Sequence, residues 1–536
     1  MSDAASPRTP LVHVYDTTLR DGTQGEGMSL SCDDKIKIAE RLDAFGVSFI
    51  EGGWPGSNPK DVEFFERAKD MEWRHARIAA FGSTRRAVMG AGEDPQLQKL
   101  VDAQTPVCTI FGKTWNLHVT DILRTTLDIN LEMIEDSLRY LVNAGRVALY
   151  DAEHFFDGYK ADAGYALATL RAAQRGGAST LILCDTNGGS MPWEVDEIVR
   201  AVRAELGPDV ELGAHMHDDG GCGVANSLSA IRAGARHVQG TINGYGERCG
   251  NANLCAIVPD VELKLGMRCL PDGRLTELYD LAHFVAEVAN VPANEHAAYV
   301  GRSAFAHKGG VHVAAIRRYP ASYQHVEPEL VGNECRVVVS ELSGRANVLS
   351  KAEELGVSVS SVEGAAVLEQ IKRAEAQGFA YEAAEASVAL LMARSEASYE
   401  APFEVLEFQT SVGRRVGSEM FSEATVKLRV HGEVVHTAGE GNGPVSALDQ
   451  AIRKAIRATY PAVADVHLSD YKVRILDGKN GTSATVRVLI DSRSHDESWS
   501  TVGASTNIIE ASLLALVDSL EYAIRLETGH KLDDEA

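Results

Sequence analysis

Short apolar runs alternate with longer segments of helical periodicity between Leu11 and about Cys255. This alternation predicts parallel strands joined by crossover helices, because buried parallel strands are continuously apolar. The eight runs lie at 11–16, 47–53, 76–82, 106–112, 146–153, 180–186, 210–217 and 237–244. Eight β/α units in about 250 residues are the size of a closed (β/α)₈ barrel. We therefore predict an α/β fold with a TIM barrel over residues 11–291.

The pattern changes after the predicted barrel. Residues 292–345 have little regular periodicity and predict a linker subdomain. Residues 346–400 are rich in Ala, Glu and Leu at helical spacing and predict a helical linker subdomain with two or three small helices. From 401 to 528, three period-two strands precede a helix, and this order occurs twice. We predict a C-terminal α+β regulatory domain of two βββα units, a disordered N-terminus over 1–10 and a tail over 529–536.

Composition and charge narrow the function. The 52 Lys and Arg against 76 Asp and Glu give a net charge of −24, which disfavours a nucleic-acid or anionic-membrane partner. The sequence has no apolar run near the roughly 20 residues that span a bilayer and no apolar leader at its start. The eight cysteines are scattered without a CxxC pair, as in reduced cytosolic proteins. We expect a cytoplasmic enzyme that acts on small molecules.

Polar side chains follow most of the predicted strands, at the end where barrel enzymes place their active sites. The candidates are Asp16, Arg20 and Asp21 after the first strand, Glu51 in the second, Glu153 after the fifth, Asp185 and Thr186 after the sixth, and His215 and His217 at the seventh. Buried carboxylates and imidazoles that converge on one mouth are costly unless they bind a cation or one another. The pattern therefore indicates a charged site in which these groups bind a cation or pair with one another.

The pair His215 and His217 is the strongest metal signal. The strand period of two places both imidazoles on one face, and the pair lies opposite a carboxylate from the first strand and an amide after the eighth. Oxygen and nitrogen donors together favour Mg²⁺, Mn²⁺ or Zn²⁺. The glycine-rich segment 243–251 has the spacing GxGxxxG after the eighth strand, so it does not predict a dinucleotide site.

Four segments together carry a family resemblance: DTTLRDGTQ (16–24), FIEGGWP (49–55), the HxH at 215–217 and GERCGN (246–251). With them the chain resembles the DRE-TIM metallolyase superfamily, in its branch of 2-isopropylmalate, homocitrate and citramalate synthases. The segments GEGNGPVSAL (439–448) and WSTVGASTNIIEAS (499–512) are similar to that branch's regulatory domain. EGGWPGSNPKDVEFF (51–65) and FGKTW (111–115) resemble the citramalate synthases in particular.

The resemblance implies roles for individual residues. It implies the metal ligands Asp21, His215, His217 and Asn251, the substrate-binding residues Arg20, Glu51 and Thr186, and the catalytic residues Arg20, Glu153, His312 and Tyr323. Arg20 would hold the oxygen that becomes an alkoxide. His312 and Tyr323 act across a homodimer interface in relatives, and His307 is the alternative to His312. The implied reaction joins acetyl-CoA to pyruvate, for isoleucine synthesis, with isoleucine as a feedback inhibitor.

Other interpretations remain open on the sequence alone. Arg20 and Asp21 could form only an ion pair, and the C-terminal domain could serve dimerisation alone. A 2-isopropylmalate synthase would use the larger acceptor 2-oxoisovalerate, and the choice depends on pocket volume that the sequence does not reveal. A metal-dependent aldolase or lyase, or a non-catalytic amino-acid sensor, are further alternatives.

Overall fold

The structure is a computed structural model that describes residues 10–533, with gaps at 341–342, 355–359, 397–398, 415, 417–418 and 496. The predicted disorder over 1–10 falls almost wholly on residues outside the described part. The chain divides into two compact units, one of residues 1–305 and 326–334 and one of residues 306–325 and 335–536. The predicted limits of the linker subdomains stay predictions. No described helix is both long and apolar enough to cross a bilayer.

The first unit contains a closed eight-stranded parallel barrel, which confirms the predicted TIM barrel. The strands are β1 (His13–Asp16), β2 (Phe49–Gly53), β3 (Arg77–Ser83), β4 (Val107–Lys113), β5 (Val147–Glu153), β6 (Thr180–Asp185), β7 (Glu211–Met216) and β8 (His237–Gly240). They pair in chain order, and β8 closes onto β1 from His13 opposite His237 to Asp16 opposite Gly240. All carboxyl ends therefore meet at one mouth.

Helices cover the outside of the barrel. They are α1 (Cys32–Phe45), α2 (Pro59–Ala68), α3 (Pro95–Asp102), α4 (Leu127–Asn143), α5 (Phe155–Ala161), α6 (Ala163–Gly176), α7 (Pro192–Leu206), α8 (Gly223–Arg232), α9 (Leu254–Pro259) and α10 (Leu278–Ala289). Helix α2 begins with a regular cap, because the Asn58 side chain accepts a hydrogen bond from Asp61 N and Pro59 fills the first turn.

Apolar and aromatic side chains fill the barrel below its mouth. This interior cluster comprises Tyr15, Phe49, Ala79, Val107, Leu149, Ile182 and Cys184. A filled interior leaves no pore, as in TIM barrels generally. The charged side chains of the candidate site therefore lie above this cluster, near the carboxyl ends of the strands.

The second unit contains short strands and helices followed by two sheets. Its elements are β9 (Ala306–His307), α11 (Gly310–Ile316), β10 (Arg336–Val337), α12 (Arg345–Glu354), α13 (Ser361–Ala376), α14 (Glu385–Ala393), β11 (Phe403–Arg414), β12 (Met420–Val430), β13 (Glu433–Gly441), α15 (Pro444–Ile456), β14 (His467–Ile475), β15 (Val486–Ser494), β16 (Glu497–Ser505) and α16 (Ile508–Asp533). Three helices, α12 to α14, form where two or three were predicted.

The two predicted βββα units are present. Strands β11, β12 and β13 form one antiparallel sheet and β14, β15 and β16 form another, each followed by its helix. Leu448 and Ile452 of α15 pack on the first sheet, and Ala511 and Ala515 of α16 pack on the second. The helix α16 continues to Asp533, into the segment predicted as a tail.

Candidate metal centre and active site

Asp21, His215 and His217 come together at the barrel mouth. Asp21 lies in the loop after β1, His215 on β7 and His217 directly after β7. His215 Nε2 lies 3.4 Å from Asp21 Oδ2 and 3.3 Å from His217 Nε2. One ligand atom from each of the three residues lies within 4.8 Å of the other two. This spacing allows a single cation to contact all three side chains.

The protonation states of Asp21 and His217 suit a cation. Burial would raise the pKa of Asp21, but Arg20 and His215 outweigh burial and hold the pKa of this carboxyl well below its usual range. Burial and the neighbouring His215 lower the pKa of His217 to about 4. At neutral pH Asp21 is an anion and His217 a neutral imidazole. These are the protonation states that metal ligands require.

Asn251 contributes the amide that the sequence placed after the eighth strand. Its backbone pairs with that of His217, and its Nδ2 donates to Tyr245 O at 3.2 Å. Asn251 Oδ1 is buried and has no hydrogen-bond partner among the residues that the structure describes. A Cβ at Gly246, where φ is +153°, would lie 2.2 Å from Asn251 Nδ2. The glycine thus leaves room for an amide whose buried oxygen is without a partner in the described part of the chain, and an amide oxygen is a donor type that divalent cations accept.

Arg20 is held beside the proposed cation by a buried carboxylate. Arg20 Nε donates to Glu51 Oε2 at 2.5 Å, and Arg20 Nη1 lies 3.4 Å from Asp21 Oδ2. Glu51 is fully buried and also accepts hydrogen bonds from Tyr15 OH, at 2.6 Å, and from Thr17 Oγ1. With both oxygens engaged, Glu51 orients Arg20 and does not line the cavity described below.

A cavity of about 240 Å³ opens at the barrel mouth. Its lining comprises Arg20, Asp21, Gln24, Trp54, Phe81, Phe111, Asp151, Glu153, Cys184, Thr186, His215, His217, Glu247 and Arg248. Phe81 and Phe111 stack with ring centroids 5.6 Å apart, and Trp54 meets both edge-on. The Arg20 guanidinium carbon lies 3.6 Å from the Phe81 ring centroid. The rings of Trp54, Phe81 and Phe111 form one side of the cavity, here called the aromatic wall. Arg20 lies between this wall and the proposed cation site.

Glu153 and Thr186 lie in the same cavity. Glu153 forms an ion pair with Lys113, and Thr186 Oγ1 accepts a hydrogen bond from His154 N at 2.9 Å. Arg248 Nη2 donates to Thr186 O at 2.7 Å, and Arg248 also pairs with Asp219. Arg248, which follows β8, therefore connects the loops after β6 and β7 through these hydrogen bonds.

Two carboxylates predicted as site candidates, Asp16 and Asp185, form hydrogen bonds within the loops that follow their strands. Asp16 accepts hydrogen bonds from Thr18 N and Thr18 Oγ1, each at 2.9 Å, and burial raises the pKa of Asp16 to about 7. Asp185 accepts from Ser190 N at 3.0 Å and Ser190 Oγ at 3.1 Å. Neither lines the cavity.

Asp151 and Gln239 belong to the site but were not predicted from the sequence. Asp151 lines the cavity two residues before Glu153, and burial raises the pKa of Asp151 to about 7. Gln239 is fully buried on β8 and contacts both Asp151 and His215. The available signal was the strand period of two, which gives Asp151 the same inward face as Glu153.

His312 and Tyr323 lie in the second unit. Their rings stack with centroids 4.2 Å apart at an angle of 26°, and both side chains are exposed. His307 lies on β9, and burial followed by the charge of His312 lowers the pKa of His307. The choice of His312 over His307 stays a prediction.

Known families match almost the whole chain. Residues 11–285 match the HMGL-like family, 299–378 the homocitrate synthase post-HMGL domain-like family and 382–524 the LeuA allosteric (dimerisation) domain. An (R)-citramalate synthase of Geobacter sulfurreducens is 53% identical over 96% of this chain and 98% of its own length. The (R)-citramalate synthase of Synechocystis is 51% identical over 98% of each chain.

Among solved structures, an HMG-CoA lyase of Bacillus subtilis is similar over 53% of this chain and 96% of its own, with 20% identity and a TM-score of 0.46. Full-length identity to the curated relatives, together with the HMGL-like match, shows the family. The chain belongs to the HMGL-like family and, within it, to the (R)-citramalate synthases.

Proposed function

We propose that the protein condenses acetyl-CoA with pyruvate and hydrolyses the thioester, releasing (R)-citramalate and CoA. The observation that carries this proposal is the set of five relatives named (R)-citramalate synthase at 43–53% identity over nearly full length. In the reaction the acetyl methyl loses a proton, its carbon bonds to the keto carbon of pyruvate, and water then cleaves the thioester.

The donor set supports a divalent cation, which we take to be Mg²⁺, Mn²⁺ or Zn²⁺. Asp21, His215, His217 and Asn251 would hold it, and the buried, unpartnered Asn251 Oδ1 supports the fourth ligand. When bound, such an ion acts as a Lewis acid towards the keto oxygen of the acceptor.

Arg20 supplies fixed positive charge where the keto oxygen becomes an alkoxide. Asp21 and Glu51 raise the pKa of Arg20 despite its burial, so the guanidinium stays charged. Its hydrogen bond to Glu51 and its contact with Phe81 fix its direction before substrate arrives. A preorganised charge of this kind stabilises developing negative charge without reorganisation during the reaction.

His312 is the proposed base that removes the acetyl proton, with Tyr323 stacked on it. Imidazole is suited to this step because its ordinary pKa lies closest to neutrality. Glu153, paired with Lys113, and Thr186 face the cavity and hold the acceptor or exchange protons with it. The resemblance assigns His312 and Tyr323 to the neighbouring subunit of a homodimer.

The aromatic wall supports pyruvate over a larger acceptor. Trp54, Phe81 and Phe111 fill the side of the cavity next to Arg20. A methyl group fits beside such rings, whereas the isopropyl group of 2-oxoisovalerate adds two carbons in the same space. This argues against the 2-isopropylmalate alternative.

We further propose a cytoplasmic homodimer in isoleucine biosynthesis, with isoleucine as a feedback inhibitor at the C-terminal domain. The LeuA allosteric (dimerisation) match over 382–524 supports regulation by a branched-chain amino acid. Inhibition by isoleucine but not by leucine at equal concentration is the expected result.

The test of the reaction is CoA release from acetyl-CoA with pyruvate, 2-oxoisovalerate or 2-oxoglutarate in turn. We expect turnover with pyruvate to exceed the other two. A preference for 2-oxoisovalerate would remove the citramalate assignment and leave the cation chemistry intact. Cleavage of citramalyl-CoA without net condensation would support the lyase alternative.

A further inference from the structure

Gln239 connects the proposed cation site to a cavity carboxyl that the proposed mechanism does not use. Its side chain is fully buried on β8. Gln239 Oε1 lies 2.8 Å from His215 Nδ1, and Gln239 Nε2 donates to Asp151 Oδ1 at 3.1 Å. One amide therefore contacts both a proposed metal ligand and the carboxyl group across the barrel from it.

The two contacts fix which end of the amide meets His215. Gln239 Nε2 donates to Asp151 Oδ1, which leaves the carbonyl oxygen of Gln239 for His215. A carbonyl oxygen can only accept, so His215 Nδ1 must carry the hydrogen. The lone pair of the neutral ring then lies on Nε2, the atom that faces Asp21 and His217.

We infer that Gln239 is a positioning residue that holds His215 in the tautomer and ring orientation required for binding the cation through Nε2. Partners of this type on ligating histidines change metal affinity by roughly 10- to 100-fold when removed. This inference rests on the proposed cation site.

The test compares two variants of the full-length protein, freed of metal and titrated with Mn²⁺ alone while electron paramagnetic resonance follows the free ion. Gln239→Met keeps the side-chain length but removes both hydrogen bonds, so we expect the Mn²⁺ Kd to rise roughly 10- to 100-fold. Gln239→Glu keeps an acceptor for Nδ1–H and loses the donor to Asp151, so we expect a Kd closer to that of wild type than to that of Gln239→Met.

Asn226→Leu is the matched control. Asn226 is a fully buried amide on α8 that donates to Ser190 O at 2.8 Å and does not line the cavity. This variant loses a buried amide hydrogen bond without touching His215, so its Mn²⁺ Kd should equal that of wild type. An equal loss in Asn226→Leu and Gln239→Met would mean general damage to the barrel and would overturn the inference.

Each of the remaining outcomes also supports or overturns the inference. An unchanged Kd in Gln239→Met, or a Kd in Gln239→Glu as weak as in Gln239→Met, would overturn the role of the acceptor. If Gln239→Met does not fold, Gln239→Glu decides alone: a retained Kd supports the inference and a loss of 10-fold or more, the size expected for a missing partner, overturns it. Wild-type protein that does not bind Mn²⁺ would refute the cation site itself, which is a different result.

Discussion

Replacing Phe111 tests whether the aromatic wall selects the acceptor. Phe111 stacks on Phe81 and meets the edge of Trp54, and all three line the cavity. Phe81 is less suitable for this test because the Arg20 guanidinium lies over its ring. The substitution Phe111→Val removes most of one ring from the wall and leaves Arg20, Glu51 and the proposed cation ligands in place.

The size of the effect follows from the volume released. 2-Oxobutyrate is longer than pyruvate by one methylene, and one methylene in an apolar pocket changes kcat/KM by roughly 10- to 200-fold. Because Phe111 and Phe81 stack on one side of the cavity, we expect the wild-type wall to clash with that extra group. We expect Phe111→Val to raise the ratio of kcat/KM for 2-oxobutyrate to that for pyruvate by an amount in the same range of roughly 10- to 200-fold. 2-Oxoisovalerate, which is larger, should gain less.

The assay is CoA release with each acceptor, at saturating acetyl-CoA and fixed metal concentration. Phe65→Val is the control, because Phe65 is a buried ring on α2 that packs against Phe64 and does not line the cavity. It should lower stability and leave the acceptor ratio unchanged. An unchanged ratio in Phe111→Val would refute the idea that this wall sets acceptor size, and an equal shift in Phe65→Val would attribute the change to general loosening.

Three further predictions test the site. His215→Ala should abolish both Mn²⁺ retention and turnover, and an active, metal-free variant would contradict the ligand assignment. His312→Ala should lower kcat by roughly 10²- to 10⁴-fold and His307→Ala by less, and the reverse order would move the base to His307. Burial raises the pKa of Asp16 from 3.8 to about 7, so the folded state binds more protons than the unfolded state between these values, and stability falls as pH rises through them. Asp16→Asn should therefore be more stable than wild type at pH 8 by on the order of 4 kcal/mol, but not at pH 4, in denaturant unfolding with chelator present; equal differences at both pH values would exclude this cause.

The fold was predictable because its signals are local. Each barrel strand falls within a short and mainly apolar run, and the helices between the strands carry clear start signals such as Asn58 followed by Pro59. The βββα duplication was visible for the same reason, since strands of period two end at glycine-rich turns. The end of α16 was harder to place, because Gly529 is typical of a helix end, yet the helix continues to Asp533.

The sequence predicted site residues only where a recognisable motif contained several residues of metal-binding type. His215 and His217 were found by their spacing, and Asp21 by its loop. Gln239 was missed because a single amide inside an apolar strand looks like a packing residue until its two partners are known. The role of Glu51 also depended on three-dimensional contacts, since the sequence does not reveal that Tyr15 and Thr17 occupy its oxygens.

The pairing of β8 with β1 has a consequence for a chain that is still being synthesised. Ile242 N donates to Thr18 Oγ1 at 2.9 Å across 224 residues, so the mouth closes only after the eighth strand has left the ribosome. Asp21 is synthesised early, whereas His215, His217 and Asn251 are synthesised only after most of the barrel. A nascent chain therefore cannot present the full set of proposed ligands, and we expect metal binding at this site to follow closure of the barrel.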